Sequence, residues 1–268
     1  MKLGFIGGGN MAAALIGGLR RRADRGEEIL VVERDLARCD QLERDFGVTT
    51  QASIDAAVRE STIVVLAVKP PDLQAVCEAL RCVPGQYLVL SIAAGIPSAA
   101  IARWCATDAV VRAMPNTPAL IGQGITGLFA RAGASDVQRA AATQVLRVIG
   151  HAVWFADEAM LDAVTAISGS GPAYVFYFIE ALQDAAAQMG MDPEQARHFA
   201  VQTFVGAAQL AAQSPEDVCV LRERVTSKGG TTAAALARLQ ESNVAAAITA
   251  AAFAALERSQ EMARTLGS

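Results

Sequence analysis

Over the first half of the chain, short runs of consecutive apolar residues alternate with longer stretches whose apolar positions recur every three or four residues. Lys2-Leu3-Gly4-Phe5-Ile6-Gly7 reads as a short buried strand, and an apolar helix from Met11 to about Arg20 follows it. Glu28–Val32 is a second strand. Asp35–Phe46 has helical spacing, with Leu36, Cys39, Leu42 and Phe46 along one side, Asp35 as N-cap and Gly47 as C-cap. Val48–Thr50 is a third short strand and Ser53–Glu60 a short helix. Thr62–Val68 is a continuous, β-branched run, as in a strand covered on both faces, and Tyr87–Ala93 and Ala109–Ala113 read as further strands of that kind. Gly124–Ala130 and Ala152–Phe155 read as later edge strands around a helix from Ser135 to Ile149. Strands alternating with helices in this way predict an α/β fold, a doubly wound parallel sheet of Rossmann type.

Near Asp157 the strand-like runs stop and alanine-rich helical segments take over. Met160–Ile167 reads as helix, broken by Ser168-Gly169-Ser170-Gly171. Pro172 opens a long helix through Met189, with Gly190 as its cap. Asp192-Pro193 starts another through about Gln213, and Ser214-Pro215-Glu216-Asp217 repeats that device. A polar break at Val225–Thr232 precedes a helix to about Gln240, and Asn243 caps a last helix to about Thr265. The expectation is a dinucleotide-binding domain over residues 1–157 and an all-α domain over 158–268. Weakly amphipathic, alanine-rich helices are buried on several sides, which points to an intertwined dimer rather than a monomeric bundle.

At 268 residues and more than half apolar, the chain has material for a large core or two medium ones. A net charge of −4 with scattered Lys and Arg gives no nucleic-acid footprint. The basic run Arg20-Arg21-Arg22 sits at a helix end, where cations complement the dipole. Five cysteines without a CxxC pair, and histidines only at 151 and 198, suggest neither a disulfide framework nor a metal site. No leader precedes the first strand and no apolar stretch reaches a membrane-spanning length, so a soluble cytoplasmic protein is expected.

The first candidate chemistry lies in Gly7-Gly8-Gly9-Asn10-Met11-Ala12, a Gly-x-Gly-x-x-Ala turn between strand and helix. Gly7 permits the tight turn, Gly9 lets backbone approach a pyrophosphate, and Ala12 lets the helix pack closely on the strand. The helix N-terminus offers free N–H groups and a partial positive charge to phosphates. At the tip of the second strand Glu33 and Arg34 stand side by side. An acid there suits the ribose 2′-hydroxyl of NAD and an arginine the 2′-phosphate of NADP, so the choice stays open. In such sheets ligands lie beyond the carboxyl ends of the strands, here Lys69-Pro70-Pro71, Ala94-Gly95 and Met114-Pro115-Asn116-Thr117-Pro118.

These motifs together resemble the pyrroline-5-carboxylate reductase family. The carriers are Gly4-Phe5-Ile6-Gly7-Gly8-Gly9-Asn10-Met11, Ala67-Val68-Lys69-Pro70, Ser91-Ile92-Ala93-Ala94-Gly95, Met114-Pro115-Asn116-Thr117-Pro118, Ser168-Gly169-Ser170-Gly171-Pro172-Ala173-Tyr174 and Val225-Thr226-Ser227-Lys228-Gly229-Gly230-Thr231-Thr232. The resemblance implies reduction of Δ1-pyrroline-5-carboxylate to L-proline by hydride transfer from NADPH, with NADH also possible. It implies a helical domain that forms homodimers or multiples of dimers. The cofactor would meet Gly7, Gly8, Gly9, Asn10, Met11, Arg34, Ala67, Val68, Lys69, Pro70, Ala93, Ala94, Gly95 and Asn116. The substrate would meet Ser227, Gly229, Gly230, Thr231 and Thr232, its carboxylate on backbone N–H groups and its ring nitrogen on the catalytic Thr232. A Gly-Gly-Thr-Thr helix start is a carboxylate site of the same physical kind as a phosphate site.

Two positions depart from the family pattern. Lys228 stands where many members have proline, and either adds charge near the substrate carboxylate or points to solvent. Glu33 stands where the family often has a neutral residue, and its charge opposes a 2′-phosphate; NADPH through Arg34, with appreciable NADH use, is the expectation. The chain's lysines are Lys2, Lys69 and Lys228, none of them mid-helix in the second half. That argues against a β-hydroxyacid dehydrogenase, which uses such a lysine as acid. The Gly-Gly-Thr-Thr segment argues for turnover rather than a nucleotide-sensing scaffold.

Overall fold

In the computed structural model, which describes residues 1–21 and 26–267, the apolar runs of the first half become strands of one sheet. Arg22 of the basic run lies outside the described residues. The strands are β1 (Lys2–Ile6), β2 (Glu28–Val32), β3 (Thr49–Gln51), β4 (Ile63–Leu66), β5 (Leu88–Ser91), β6 (Val110–Met114), β7 (Gly124–Ala130) and β8 (Gly150–Trp154). The helices between them are α1 (Asn10–Arg21), α2 (Leu36–Phe46), α3 (Ala56–Arg59), α4 (Leu73–Arg81), α5 (Ser98–Cys105) and α6 (Asp136–Arg147). The eight-stranded sheet runs β3-β2-β1-β4-β5-β6-β7-β8. Its order reverses from β1 to β4, the switch point at which such sheets open a crevice.

Helices cover both faces. Along β4, Ile63 and Val65 join one core with Leu15, Ile16 and Leu19 of α1 and Val145 and Leu146 of α6. Val64 and Leu66 join the other with Leu73, Cys77 and Leu80 of α4 and Ile101 and Trp104 of α5. Every β4 side chain is buried, which is why this strand reads as an unbroken apolar run.

Local signals place several ends. Asp35 accepts from Ala37 N–H at 2.9 Å, and Gly47 N–H donates to Glu43 O at 2.9 Å, closing α2 at both ends. Ser135 and Gln138 form a reciprocal capping box on α6. Leu36 departs from the expected inner stripe of α2 and is 73% exposed. Two three-residue steps rotate it about 120° from Leu42.

β7 is a second departure. It pairs antiparallel with β6 and parallel with β8, so it is interior to the sheet and β8 is the edge. The link from Pro115 to Gln123, with a 3-10 turn at Thr117–Ile121, is too short for a parallel crossover.

The chain divides into two units, Met1–Ser170 with the segment from Ala255 onward, and Gly171–Ala254. The composition changes earlier, at Asp157, but α7 (Met160–Val164) packs with the first unit: Leu161 is buried, and both Leu161 and Val164 stand over Gly127 of β7. The expected break at Ser168–Gly171 is a π-turn over Thr165–Gly169, with Ser170 N–H donating to Thr165 O at 2.8 Å.

The second unit contains α8 (Gly171–Gln188), α9 (Pro193–Gln213), α10 (Val218–Arg224), α11 (Thr231–Glu241) and the start of α12 (Val244–Leu266). Asp192 caps α9 through Glu194 and Gln195 N–H, both at 3.0 Å. Asn243 differs from the expected extended N-cap: with φ of 51° it makes a left-handed turn between α11 and α12, a conformation asparagine tolerates. The end of α12 belongs to the first unit, where Ser259 Oγ donates to Asp162 Oδ1 at 2.7 Å. Among the described residues no helix is long and apolar enough to cross a membrane.

Candidate active site

The parallel register aligns the exits of four strands: Ile6 lies opposite Val32 and Leu66, and Leu66 opposite Ser91. Hydrogen bonds continue the alignment into the loops. Gly7 N–H donates to Val32 O at 2.8 Å, Ala67 N–H to Ile6 O at 2.8 Å and Ile92 N–H to Leu66 O at 3.1 Å. Gly7–Met11, Glu33–Arg34, Ala67–Pro70 and Ala93–Gly95 therefore share one end of the sheet.

Gly7 has a φ of 98°, and a Cβ there would lie 2.7 Å from Ala67 O. Both the backbone angle and the close approach require glycine. At Gly9 a Cβ would meet nothing within 4 Å, so the turn is open outward. Ala12 is buried beneath it. Asn10 and Met11 begin α1, whose N-terminus faces this opening.

Beside the turn is a cavity of about 540 Å³ lined by Gly7, Val32, Glu33, Arg34, Val68 and Asp72, among others. A glycine turn without side chains, a helix N-terminus and this cavity fit a dinucleotide. Arg34 is exposed at the cavity wall. Glu33 is bent back into the turn: Oε2 accepts from Gly8 N–H at 2.8 Å, and Oε1 from Arg34 N–H at 2.7 Å and Asp35 N–H at 3.1 Å. Burial alone pushes its carboxyl up, but these three donors outweigh it and hold the pKa below the ordinary value. Arg38 Nε donates to Gly8 O at 2.6 Å from the other side. Neither the Glu33–Gly8 clamp nor the Arg38 contact was legible in the sequence, because each depends on where α2 docks.

Ala67 and Val68 are half-buried and Lys69 is exposed at the start of a 3-10 turn opened by Pro70. Ala93 N–H donates to Ser91 Oγ at 3.3 Å, and Met262 of α12 packs over Gly95. Asn116 is nearly buried after β6. Its Oδ1 accepts from Ile125 N–H at 2.9 Å and its Nδ2 donates to Ser168 O at 3.1 Å. The amide thus ties β7 to the π-turn, leaving one N–H for any ligand.

The second unit holds the other predicted group. Gly229 turns with a φ of 74° and Gly230, the N-cap of α11, has no side chain to cap the helix. Thr231 and Thr232 form its first turn, so their N–H groups head the helix dipole. Gly230 N–H donates to Ser227 O at 3.0 Å, and Ser227 Oγ would stand 2.5 Å from a Cβ at Gly230. Thr232 is half-buried, whereas Ser227 and Lys228 are exposed. His151 lies exposed on β8 and His198 exposed on α9 beside Phe199.

Comparison with known proteins finds full-length relatives. Residues 158–262 match the family model described as pyrroline-5-carboxylate reductase dimerisation. Residues 2–95 match the one described as NADP oxidoreductase coenzyme F420-dependent. The chain is 43% identical to a pyrroline-5-carboxylate reductase of Pseudomonas aeruginosa over 99% of this chain and 98% of that protein. It is 35% identical to the one of Arabidopsis thaliana, over 98% and 96%. Among solved structures it is similar to a pyrroline-5-carboxylate reductase from Coxiella burnetii, with a TM-score of 0.91, 38% identity and 97% of each chain covered. It is also similar to the Plasmodium falciparum pyrroline carboxylate reductase with NADP bound, at 0.87, 27% identity and 98% of each chain.

Proposed function

The chain belongs to the pyrroline-5-carboxylate reductase family, and on that premise we infer an NAD(P)H-dependent oxidoreductase that reduces Δ1-pyrroline-5-carboxylate to L-proline, in proline biosynthesis. The observation that carries the reading is a likeness spanning almost the whole chain, so that the glycine turn and the Gly229–Thr232 helix start belong to one enzyme.

A bound NAD(P)H supplies a hydride from C4 of its reduced nicotinamide to C5 of the cyclic imine. The chain's own residues hold and orient. Gly9, Asn10 and Met11 receive the pyrophosphate on backbone N–H groups, while Gly7 and Gly8, whose N–H groups bond Val32 O and Glu33, shape the turn beneath it. Ala67, Val68, Lys69, Pro70, Ala93, Ala94 and Gly95 flank the nicotinamide, with Asn116 bracing the β6 exit. Ser227, Gly229, Gly230, Thr231 and Thr232 take the substrate, its carboxylate on N–H groups at the head of α11. The Thr232 hydroxyl hydrogen-bonds the ring nitrogen, which enters the step already protonated from solvent, so that hydride addition at C5 turns the iminium into the ring amine with no further proton. Orientation of this kind can supply much of the rate, so no strong acid–base pair is required.

Arg34 favours NADPH by pairing with its 2′-phosphate, and Glu33 beside it leaves NADH in use. Residues 1–157 bind the dinucleotide, and 158–268 bind substrate and dimerise. Support for a homodimer, or a multiple of dimers, comes from exposed Phe176, Tyr177, Phe199 and Phe253 and from α8, α10 and α11 burying no residue within the chain. Five free cysteines suit a reducing cytoplasm. The test is oxidation of NADPH, and separately NADH, by the purified protein with Δ1-pyrroline-5-carboxylate. Turnover with proline as product is expected; tight dinucleotide binding with no turnover would keep the fold and remove the function.

A further inference from the structure

Glu158, in the turn between β8 and α7, holds the helix-side end of the β5–α5 loop. Its Oε1 accepts from Ser98 N–H and its Oε2 from Ser98 Oγ–H, both at 2.6 Å. The same Oε1 accepts from Arg112 Nη1 at 3.0 Å. Ser98 is the first residue of α5, whose N-cap, Pro97, supplies no side-chain cap. A carboxylate distant in sequence therefore caps this helix, where negative charge is favoured.

Arg112 sits on β6 with its side chain 4% exposed, and its Nη2 has no hydrogen-bond partner among the described residues. A guanidinium buried in that way depends on its counter-charge. One carboxylate thus joins the start of α5 to the middle of β6, where Arg112 lies opposite Ser91, the last residue of β5. At its other end the Ala93–Gly95 loop is fixed by Ala93 N–H on Ser91 Oγ.

We propose that Glu158 is a positioning residue for hydride transfer, acting through Ser98 and Arg112 to hold Ala93–Gly95 against the nicotinamide. This rests on the reading of that loop as the nicotinamide's neighbour. Without Glu158 the start of α5 loses its cap, the loop relaxes, and the nicotinamide end of the cofactor loses a fixed support. The adenosine end, at Gly7–Met11 and Arg34, keeps its own.

The variants are Glu158→Ala, Glu158→Gln and Ser98→Ala in the full-length protein, with NADPH and 2′-phospho-ADP-ribose, which lacks the nicotinamide, as ligands. In Glu158→Ala the Kd for NADPH rises and kcat falls, each about tenfold, while the fragment's Kd stays within about twofold. Glu158→Gln recovers part of both: its Oε1 still accepts from Ser98 N–H and Arg112 and its Nε2 can donate to Ser98 Oγ, but the charge that Arg112 pairs with is gone. Should Glu158→Ala fail to fold, Ser98→Ala removes a single bond and shifts the same two constants about threefold. Unchanged constants, equal weakening of both ligands, or a glutamine variant as impaired as the alanine one would overturn the proposal. Hydrogen exchange over residues 92–98 of the unaltered protein separates the two claims. If NADPH protects the loop no better than the fragment, the nicotinamide reading falls and the proposal with it. If protection is present but the variants behave normally, only the positioning role falls.

Discussion

The carboxylate of Glu33 receives the Gly8 N–H at 2.8 Å, so the acidic residue at the tip of β2 is bonded into the glycine turn itself. Its charge is held there by two further amides, those of Arg34 and Asp35. One residue thereby shapes the glycine turn and places a negative charge beside Arg34.

That charge sets the first prediction. Removing it in Glu33→Ala relieves repulsion of a 2′-phosphate by about 1 kcal/mol, a roughly fivefold rise in the ratio of kcat/KM for NADPH over NADH. Steady-state kinetics with both cofactors measure the ratio. An unchanged ratio would put Glu33 outside the ribose site.

The same clamp predicts a pH signature. Glu33 has a folded pKa below its ordinary 4.5, so its contribution is complete above that value and fades as pH falls through the lower, folded one. Glu33→Gln should therefore be less stable by about 1 kcal/mol at neutral pH, with the gap closing in acid. Urea unfolding across the acid range reads this directly. A gap that persists at pH 2 would mean the amides are not bonded to the ionised carboxylate.

Gly7→Ala meets two penalties, a φ of 98° and a Cβ 2.7 Å from Ala67 O. Together they should cost about 2–4 kcal/mol of stability and weaken NADPH binding at least about tenfold. Thermal melts and cofactor titration test both. A variant that melts and binds normally would show that the turn is not as tight as its backbone indicates.

Thr232→Val keeps the shape of the side chain and removes the hydroxyl. If that hydroxyl bonds the ring nitrogen, kcat falls about 10- to 100-fold while the Kd for NADPH changes less than about twofold. Thr232→Ser should recover most of the rate. Full activity in the valine variant would remove Thr232 from the chemistry.

What the sequence made legible follows the range of the forces involved. Asp35, Gly47 and Asp192 act within a turn of their own helix, and the ends they predict are the ends observed. The apolar runs of β1, β2 and β4 through β6 needed only burial to be read. The direction of β7 has no signature in its own residues and is set by the short Pro115–Gln123 link, a signal that loop length carried. Strand-to-loop bonds spanning the chain are different in kind. Glu33 on Gly8 and Glu158 on Ser98 and Arg112 depend on docking, and no local pattern marks them. Ser168–Gly171 looked like a break because its small residues resemble a loop, yet the backbone continues as a π-turn.

The most direct measurement is isotopic. NADPH dideuterated at C4 is supplied to the purified protein with Δ1-pyrroline-5-carboxylate, and the product is examined by mass spectrometry and NMR. Direct hydride transfer predicts L-proline carrying one deuterium at C5. Proline without deuterium, or oxidation of the cofactor with no proline formed, would contradict it.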